Sequence, residues 1–413
     1  MSRSQHFDEF QPHTLTKHAI LSAYLATWAM KLLQWGKAGR AVYFVDAFAG
    51  EGRDKAGNPG SPLIATQIAL QTQTHLRATI PDARMHVIAI EKGTARVKAL
   101  RDHIEQFEQS TPGLVTVLHG ELKDHIDDIV AETAAAPTLY FIDPFGIQGL
   151  DASTYAKMLA GAYNEMFVLF ADIGAVRLHG VVSARGPNVE EQLHKLRTTP
   201  SLFPELDAEA EATVRARAEE HVEALDLTRP ACRDYLHRAL GGSDWEAKLD
   251  RIAPRLRSDA FLELFLDALL KAGAEHVLAV PMRAADGPRV YALVYASKSL
   301  KGLVTMKECV SFGLRSNNLP TEVSDRIRAE LRSPVLLTVQ TLEHNFPGRT
   351  IRWRDDASGA ESVRRFVLED TPMFDFQLEE LQGALIDAGY IDLGKSGNPK
   401  KPIFVRFPPT PPL

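Results

Sequence analysis

Five short runs set the terms for this chain. "AVYFVDAF" (41–48), "MHVIAIE" (85–91), "LVTVLHG" (114–120), "TLYFIDPF" (138–145) and "EMFVLFAD" (165–172) are rich in β-branched and aromatic residues, with few polar interruptions. A strand with one wet face alternates apolar and polar residues; a strand covered on both faces reads as a near-continuous apolar run. Between the runs lie segments of helical composition at 61–78, 93–109, 121–134 and 151–162. Ser61 followed by Pro62, and Asp151, are residue types that open helices. Alternation of this kind predicts an α/β fold with a parallel, doubly wound sheet and ligands at the carboxyl ends of its strands.

The rhythm stops from about Ser183 to Leu256, where "DAEAEATVRARAEEHVEAL" is charged and alanine-rich. Strands return as "HVLAVPM" (276–282) and "RVYALVYAS" (289–297), whose short connection predicts an antiparallel pair. The total is a mostly parallel seven-stranded sheet. Ahead of it, Thr14 is placed to cap a helix ending near Gly36, with Leu21, Leu25, Trp28 and Leu32 on one face. Behind it, helical segments at 335–346, 359–369 and 376–388 precede a strand, a basic loop and a strand in "YIDLGKSGNPKKPIFVRF", a winged-helix-like pattern. The expected organisation is an N-terminal helical segment packed on the core (1–40), an α/β domain (41–182 and 272–315), a helical insertion (183–271), a winged-helix-like domain (333–407) and a loose tail (408–413).

Composition narrows the partners and the compartment. The net charge of −6 over 413 residues gives no global basic footprint, so any nucleic-acid contact has to be local. Cys232 and Cys309 lie far apart without metal-ligand spacing, and no apolar run reaches membrane length. A cytoplasmic protein without a membrane span or metal site is expected. His13 and His18 read as structural or surface histidines, with Lys17 and His18 also placed to form a lid.

The first strand ends in Asp46, Ala47, Phe48, Ala49, Gly50, Glu51 and Gly52. A dinucleotide-binding loop would need a third glycine where Lys55 stands and a helix starting at once; the helix signal comes only near Ser61. The phosphate loop G-x-x-x-x-G-K-[ST] is also absent. With only Arg53 and Lys55 to neutralise phosphate, the loop suits a sulfonium ligand with an amino-acid tail better. Glu91, ending the second strand, is positioned to accept hydrogen bonds from ribose hydroxyls, as in other nucleoside-binding α/β folds. A solvated strand-end glutamate is the other reading. His119, Gly120 and Glu121 follow the third strand, where a polar side chain can reach an adenine edge.

The fourth strand delivers Asp143, Pro144, Phe145 and Gly146. A carboxylate or neighbouring carbonyl there can hold an exocyclic amine while the ring stacks on a planar base, although a plain strand-to-helix turn has the same composition. Lys298, Lys301 and Lys307 near the last strand, and Lys395, Lys400 and Lys401 in the basic loop with Arg406 nearby, are candidate contacts for a phosphate backbone or a protein partner. Glu379, Glu380 and Asp387 in the presumed recognition helix weaken the nucleic-acid reading.

Four blocks, "HTLTKHAIL" (13–21), "YFVDAFAGEGRDKAGNPGSPLIA" (43–65), "TLYFIDPFG" (138–146) and "YALVYASKSLKGLVTMKECV" (291–310), resemble the three-Cys-motif partner proteins (TcmP), which have a class I S-adenosylmethionine-dependent methyltransferase-like fold. The resemblance covers roughly residues 10–315. It implies S-adenosylmethionine as cofactor and a partner protein with a three-cysteine motif. "DAFAGEG" and "DPFG" also look like the F-x-G-x-G and D-P-P-[YF] motifs of amino-methyltransferases acting on nucleic-acid bases. Carried over, Asp46, Phe48, Gly50, Gly52, Glu91 and Glu121 are expected at the cofactor, Asp143, Pro144 and Phe145 at the target, and Arg53, Lys55 and the lysines above at DNA, RNA or partner. The missing second proline moves the aromatic one place early and puts base N-methylation in doubt. Two functions follow: a methyltransferase acting on a nucleic-acid base or related planar amine, or a catalytically silent subunit binding the three-Cys-motif partner in a nucleic-acid or phage-related system.

Overall fold

A computed structural model describes residues 12–35, 40–54, 56–108, 113–144, 147, 149–184, 228–283, 289–315, 321–355, 361–391 and 403–409. Helix α1 (Pro12–Trp35) leads into β1 (Ala41–Asp46), α2 (Ser61–Leu76), β2 (Arg84–Glu91), α3 (Thr94–Glu108), β3 (Val115–His119), α4 (Leu122–Thr133), β4 (Thr138–Ile142), α5 (Ala152–Met158), β5 (Glu165–Phe170) and α6 (Asp172–Ser183). Then come α7 (Arg229–Leu240), α8 (Asp244–Leu249), α9 (Arg257–Lys271), β6 (His276–Arg283), β7 (Arg289–Ser297), α10 (Leu300–Gly313) and α11 (Thr321–Glu330). The C-terminal unit consists of α12 (Val335–Asn345), β8 (Thr350–Arg352), α13 (Val363–Asp370), α14 (Leu378–Asp387) and β9 (Phe404–Arg406).

The main sheet has seven strands in the order β3-β2-β1-β4-β5-β7-β6, parallel except for β7, which runs antiparallel to both neighbours. This is a methyltransferase-like α/β fold. Alternation inside the apolar runs feeds two cores, one on each face. Val42, Phe44, Leu139, Phe141 and Phe167 join α1, α2 and α10 through Leu21, Tyr24, Leu63 and Met306. Val45, Ile88, Tyr140, Ile142 and Val168 face Ile126, Tyr155 and Leu178 of α4, α5 and α6.

Helices α7 to α9, within the segment expected as a helical insertion, contribute to this second core. Leu236, Trp245, Phe261 and Phe265 are buried with the sheet residues, and the Phe265 ring stacks on Phe170 of β5 with centroids 4.3 Å apart. Each of these helices buries one stripe and leaves its other faces polar. Residues 185–227, the rest of the expected insertion, lie outside the described residues.

Helix α2 starts at Ser61, but Gly60 is its capping residue, and the Gly60 N–H donates to the Gly52 carbonyl at 2.8 Å. The C-terminal unit has its own core of Val339, Leu342, Trp353, Val367, Leu381 and Val405. Its strand β8, which the sequence reading missed, pairs antiparallel with β9, and Ile391 bridges to Val405. At three residues, β8 is too short for periodicity to register.

Candidate functional site

The carboxyl ends of β1, β2 and β4 lie side by side, and the turn after β1 is built around two glycines with positive φ, Gly50 at +65° and Gly52 at +89°. The two have different jobs. A Cβ on Gly50 would meet nothing within 4 Å, so this residue borders open space. A Cβ on Gly52 would come within 2.9 Å of Leu100 Cδ1, so Gly52 lets the turn pack on α3 and α2. Gly52 was expected to face a cofactor; it faces the core. The Phe48 ring, partly buried, packs against Gly149 beyond β4, where Pro144 also lies.

Glu91 ties the turn to the neighbouring strand. Its Oε2 accepts from the Gly50 N–H at 3.0 Å, and its Oε1 from the Gly93 N–H at 2.6 Å and Arg96 Nε at 2.9 Å. Each carboxylate oxygen has two lone pairs, so Oε2 retains room for one more donor. Glu121 stands at the N-cap of α4, where its N–H donates to Asp124 Oδ2 at 3.0 Å, and its exposed side chain pairs with Lys123 at 2.7 Å. His119 Nε2 lies 3.0 Å from the Lys92 carbonyl.

Asp46 has no solvent exposure. Its Oδ1 accepts from the Phe48 N–H at 3.1 Å, whereas Oδ2 has no hydrogen-bond partner. Burial pushes its carboxyl up to about 7, and the charge of Asp143 adds to this; the Ser61 hydroxyl, the Phe48 N–H and Lys17 favour the ionised form but do not outweigh it. Asp143 forms an ion pair with Lys17 of α1, whose side chain is only 8% exposed. Burial, reinforced by Lys17, pulls the adjacent His18 down to about 3 and keeps it neutral. Tyr291 at the start of β7 feels the Asp143 charge as well, although burial is the main reason its phenol is held above its ordinary range.

The structure therefore brings Asp46, Gly50, Glu91 and Asp143 together and adds Lys17. Asp143 is not a free acceptor for a target amine, because Lys17 already engages it. A lysine in the otherwise core-facing helix "LTKHAIL" is the sequence signal for that pairing, since a buried charge needs a partner.

The remaining expectations divide. Arg53 folds back on its own loop, donating to the Gly57 carbonyl at 2.7 Å, and that loop is closed by an Arg53–Pro59 bridge and by Asn58 bonded to Asp54. Lys298 and Lys301 were expected beside the ligand edge and are at the opposite one: β7 runs antiparallel, so its end at Ser297 meets Glu165 at the start of β5. Lys298 Nζ reaches the Ala160 carbonyl there at 3.3 Å. Lys307 is buried, donating to the carbonyls of Leu368 at 2.8 Å and Thr371 at 2.6 Å, and so joins α10 to the C-terminal unit instead of tracking phosphate. Lys55, Phe145, Lys395, Lys400 and Lys401 lie outside the described residues.

No protein-family model and no curated protein matches this chain. Among solved structures, it is similar to a geranyl diphosphate methyltransferase in complex with geranyl diphosphate and sinefungin, at 13% identity over 66% of this chain and 77% of that one, with TM-score 0.25. Protein LPL1258 from Legionella pneumophila is 11% identical over 78% of this chain and 91% of its own, with TM-score 0.29. PKMT2 from Rickettsia typhi, in complex with AdoHcy, is 9% identical over 70% and 56%, with TM-score 0.22. At these scores the likenesses carry no argument about chemistry, and the fold rests on strand order and direction.

Proposed function

We propose that the carboxyl edge binds S-adenosylmethionine and that the protein is a methyltransferase. The observation that carries this reading is the Gly50 turn, whose N–H is held by Glu91 while its Cα borders open space. A ribose can use the remaining lone pair on Glu91 Oε2, and the left-handed glycine lets the ligand approach the backbone. Asp46 Oδ2 is a buried acceptor without a hydrogen-bond partner, a group that suits a ligand carrying an ammonium.

When bound, S-adenosylmethionine supplies a sulfonium methyl carbon for in-line attack. The chain's own residues position: Gly50 and Glu91 fix the ribose side, and Asp143, oriented by Lys17, sits on the β4 side where an acceptor would enter. With Asp143 so engaged and the second proline of D-P-P-[YF] missing, an exocyclic base amine is less favoured than the motif alone suggests.

The alternative is a binding subunit for a three-Cys-motif protein, the partner implied by the sequence blocks. Among the described residues the C-terminal order is helix, strand, two helices and strand, with Ile391 bridging to Val405, and this order supports a winged-helix reading. Its α14 carries Glu379, Glu380 and Asp387, and Glu380 pairs with Arg332 at 2.7 Å, a surface that favours a protein over phosphate.

Calorimetry tests the central reading. S-Adenosylmethionine should bind the full chain, and Gly50→Val, which forces a β-branched residue into a left-handed conformation, should abolish binding. No heat with the wild type, or a Gly50→Val variant that binds equally well, sinks it. Labelled methyl transfer to DNA, RNA and partner protein then separates enzyme from subunit.

A further inference from the structure

Strands β8 and β9 present one apolar and one basic side. Their antiparallel register sets Thr350 opposite Arg406, Ile351 opposite Val405 and Arg352 opposite Phe404. Side chains alternate across a strand, so Ile351 and Val405 enter the C-terminal core while Thr350, Arg352, Phe404 and Arg406 share the outer face. Buried Trp353 extends the ladder by donating to the Ile403 carbonyl at 2.8 Å, and the exposed Arg354 after it returns to the outer side.

Two properties set this face apart from an ordinary solvated surface. Phe404 is 40% exposed although Val405 beside it is buried, and the Arg352 guanidinium lies over its ring, 5.7 Å from the centroid. The positive charge is also unmatched. Asp355 is engaged by Ser362 and Arg364, and Glu361 by Arg349. Among the described residues no carboxylate pairs with the guanidinium of Arg354 or Arg406.

Phe404 and Arg406 are two residues apart, about 7 Å along the strand, so a planar group on the ring has a guanidinium within reach on either side. An acidic peptide would use the charge and leave the ring idle. A lipid surface takes a broad apolar face, and here there is one apolar side chain. A nucleic-acid strand uses both features, a base stacking on the ring and phosphates meeting the arginines. The strand has to be unpaired, because in a duplex the base faces are covered by their neighbours.

We infer that the outer face of β8 and β9 is a docking surface for an unpaired nucleic-acid strand, Phe404 stacking a base and Arg352, Arg354 and Arg406 holding the flanking phosphates. Helix α14, acidic through Glu379, Glu380 and Asp387, takes no part, so the unit does not use a recognition helix in a groove. The surface is independent of the carboxyl edge of the main sheet and of whether S-adenosylmethionine binds there.

Fluorescence anisotropy of short labelled oligothymidylate and oligouridylate, with the full chain and no S-adenosylmethionine, tests this surface. Both strands should bind, since the contacts hold base and phosphate, and log affinity should fall against log salt with a slope of about −2 for three phosphate contacts. Phe404→Leu keeps an apolar strand residue and loses the π-face; it should weaken binding about tenfold with the slope unchanged, and Phe404→Trp should retain binding. Arg354→Gln and Arg406→Gln should each weaken binding and reduce the slope by about 0.7. Arg354 lies beyond the end of β8 and outside the core, so its variant reads the surface even if a substitution within the strands unfolds the unit by circular dichroism. A wild type that binds neither strand overturns the inference. So does displacement by a duplex of equal length or by polyglutamate as effective as by the unlabelled strand, and so do folded Phe404→Leu and Arg354→Gln variants that bind as the wild type does.

Discussion

Two acids at opposite ends of the same sheet share almost every local property except one. Asp46 ends β1 and Glu165 begins β5; both are buried, and burial raises both to about 7. Glu165 is satisfied: Tyr24 Oη donates to its Oε2 at 2.5 Å, Ser297 Oγ to its Oε1 at 3.4 Å, and the Tyr295 hydroxyl lies 2.9 Å from that of Tyr24. That network ties α1, β5 and β7 into one unit. Asp46 Oδ1 accepts from the Phe48 N–H, the Ser61 hydroxyl stands beside the carboxylate, and Oδ2 has no hydrogen-bond partner. Burial and a raised pKa therefore do not separate a structural acid from a ligand-binding one; hydrogen-bond satisfaction does.

The comparison breaks most readily at Glu165. Glu165→Ala strips the partner from buried tyrosine hydroxyls and should cost about 3–5 kcal/mol of stability, read by denaturant unfolding, with little effect on ligand affinity measured on the folded fraction. Gly302→Ala should follow at about 1–3 kcal/mol, because its Cβ would crowd Tyr295 Oη and come within 2.6 Å of Glu165 Oε1. Asp46→Asn should show the reverse pattern: stability within about 1 kcal/mol of wild type and roughly tenfold weaker S-adenosylhomocysteine binding by calorimetry. A large stability loss in Asp46→Asn with normal binding would erase the distinction.

The smallest expected effect is on pH dependence, and its sign follows from linkage. Both acids hold a proton more tightly folded than unfolded, so their contribution to stability is full below about pH 4, where unfolded carboxyls titrate, and is lost as pH rises through about 7. On their account the melting temperature should fall between pH 5 and 8, and Glu165→Gln or Asp46→Asn should each flatten the slope. Ligand affinity should run the other way. Asp46 is faced by Ser61 of α2, the Phe48 N–H, Asp143 after β4 and Lys17 of α1, and an ammonium added to this group favours its ionised form. Binding of S-adenosylhomocysteine should tighten from pH 6 to 8 in the wild type and lose that trend in Asp46→Asn.

Much of the fold was legible in the sequence. The five apolar runs appear as β1 to β5 with ends displaced by at most three residues, and "RVYALVYAS" is β7. Of the site, Gly50 and Glu91 could be located because a turn residue and a strand-end acid announce themselves locally. The packing of Gly52 on α3 and of Phe48 on Gly149 could not be read locally, since both contacts lie far along the chain. The lysines after β7 were put at the wrong edge because proximity in sequence to a strand end says nothing about which edge an antiparallel strand ends on.

By itself the sequence determined what depends on neighbouring residues: apolar runs that must be covered on both faces, helices with their breaks, and a glycine turn after β1. Only the tertiary structure decided which charges meet. Lys17 and Asp143 are 126 positions apart and Tyr24 and Glu165 are 141 apart, and no local pattern records either pairing. The physical reason is that hydrogen bonding and desolvation act through space, so the same buried carboxylate becomes a structural knot or an open acceptor according to which distant elements pack against it.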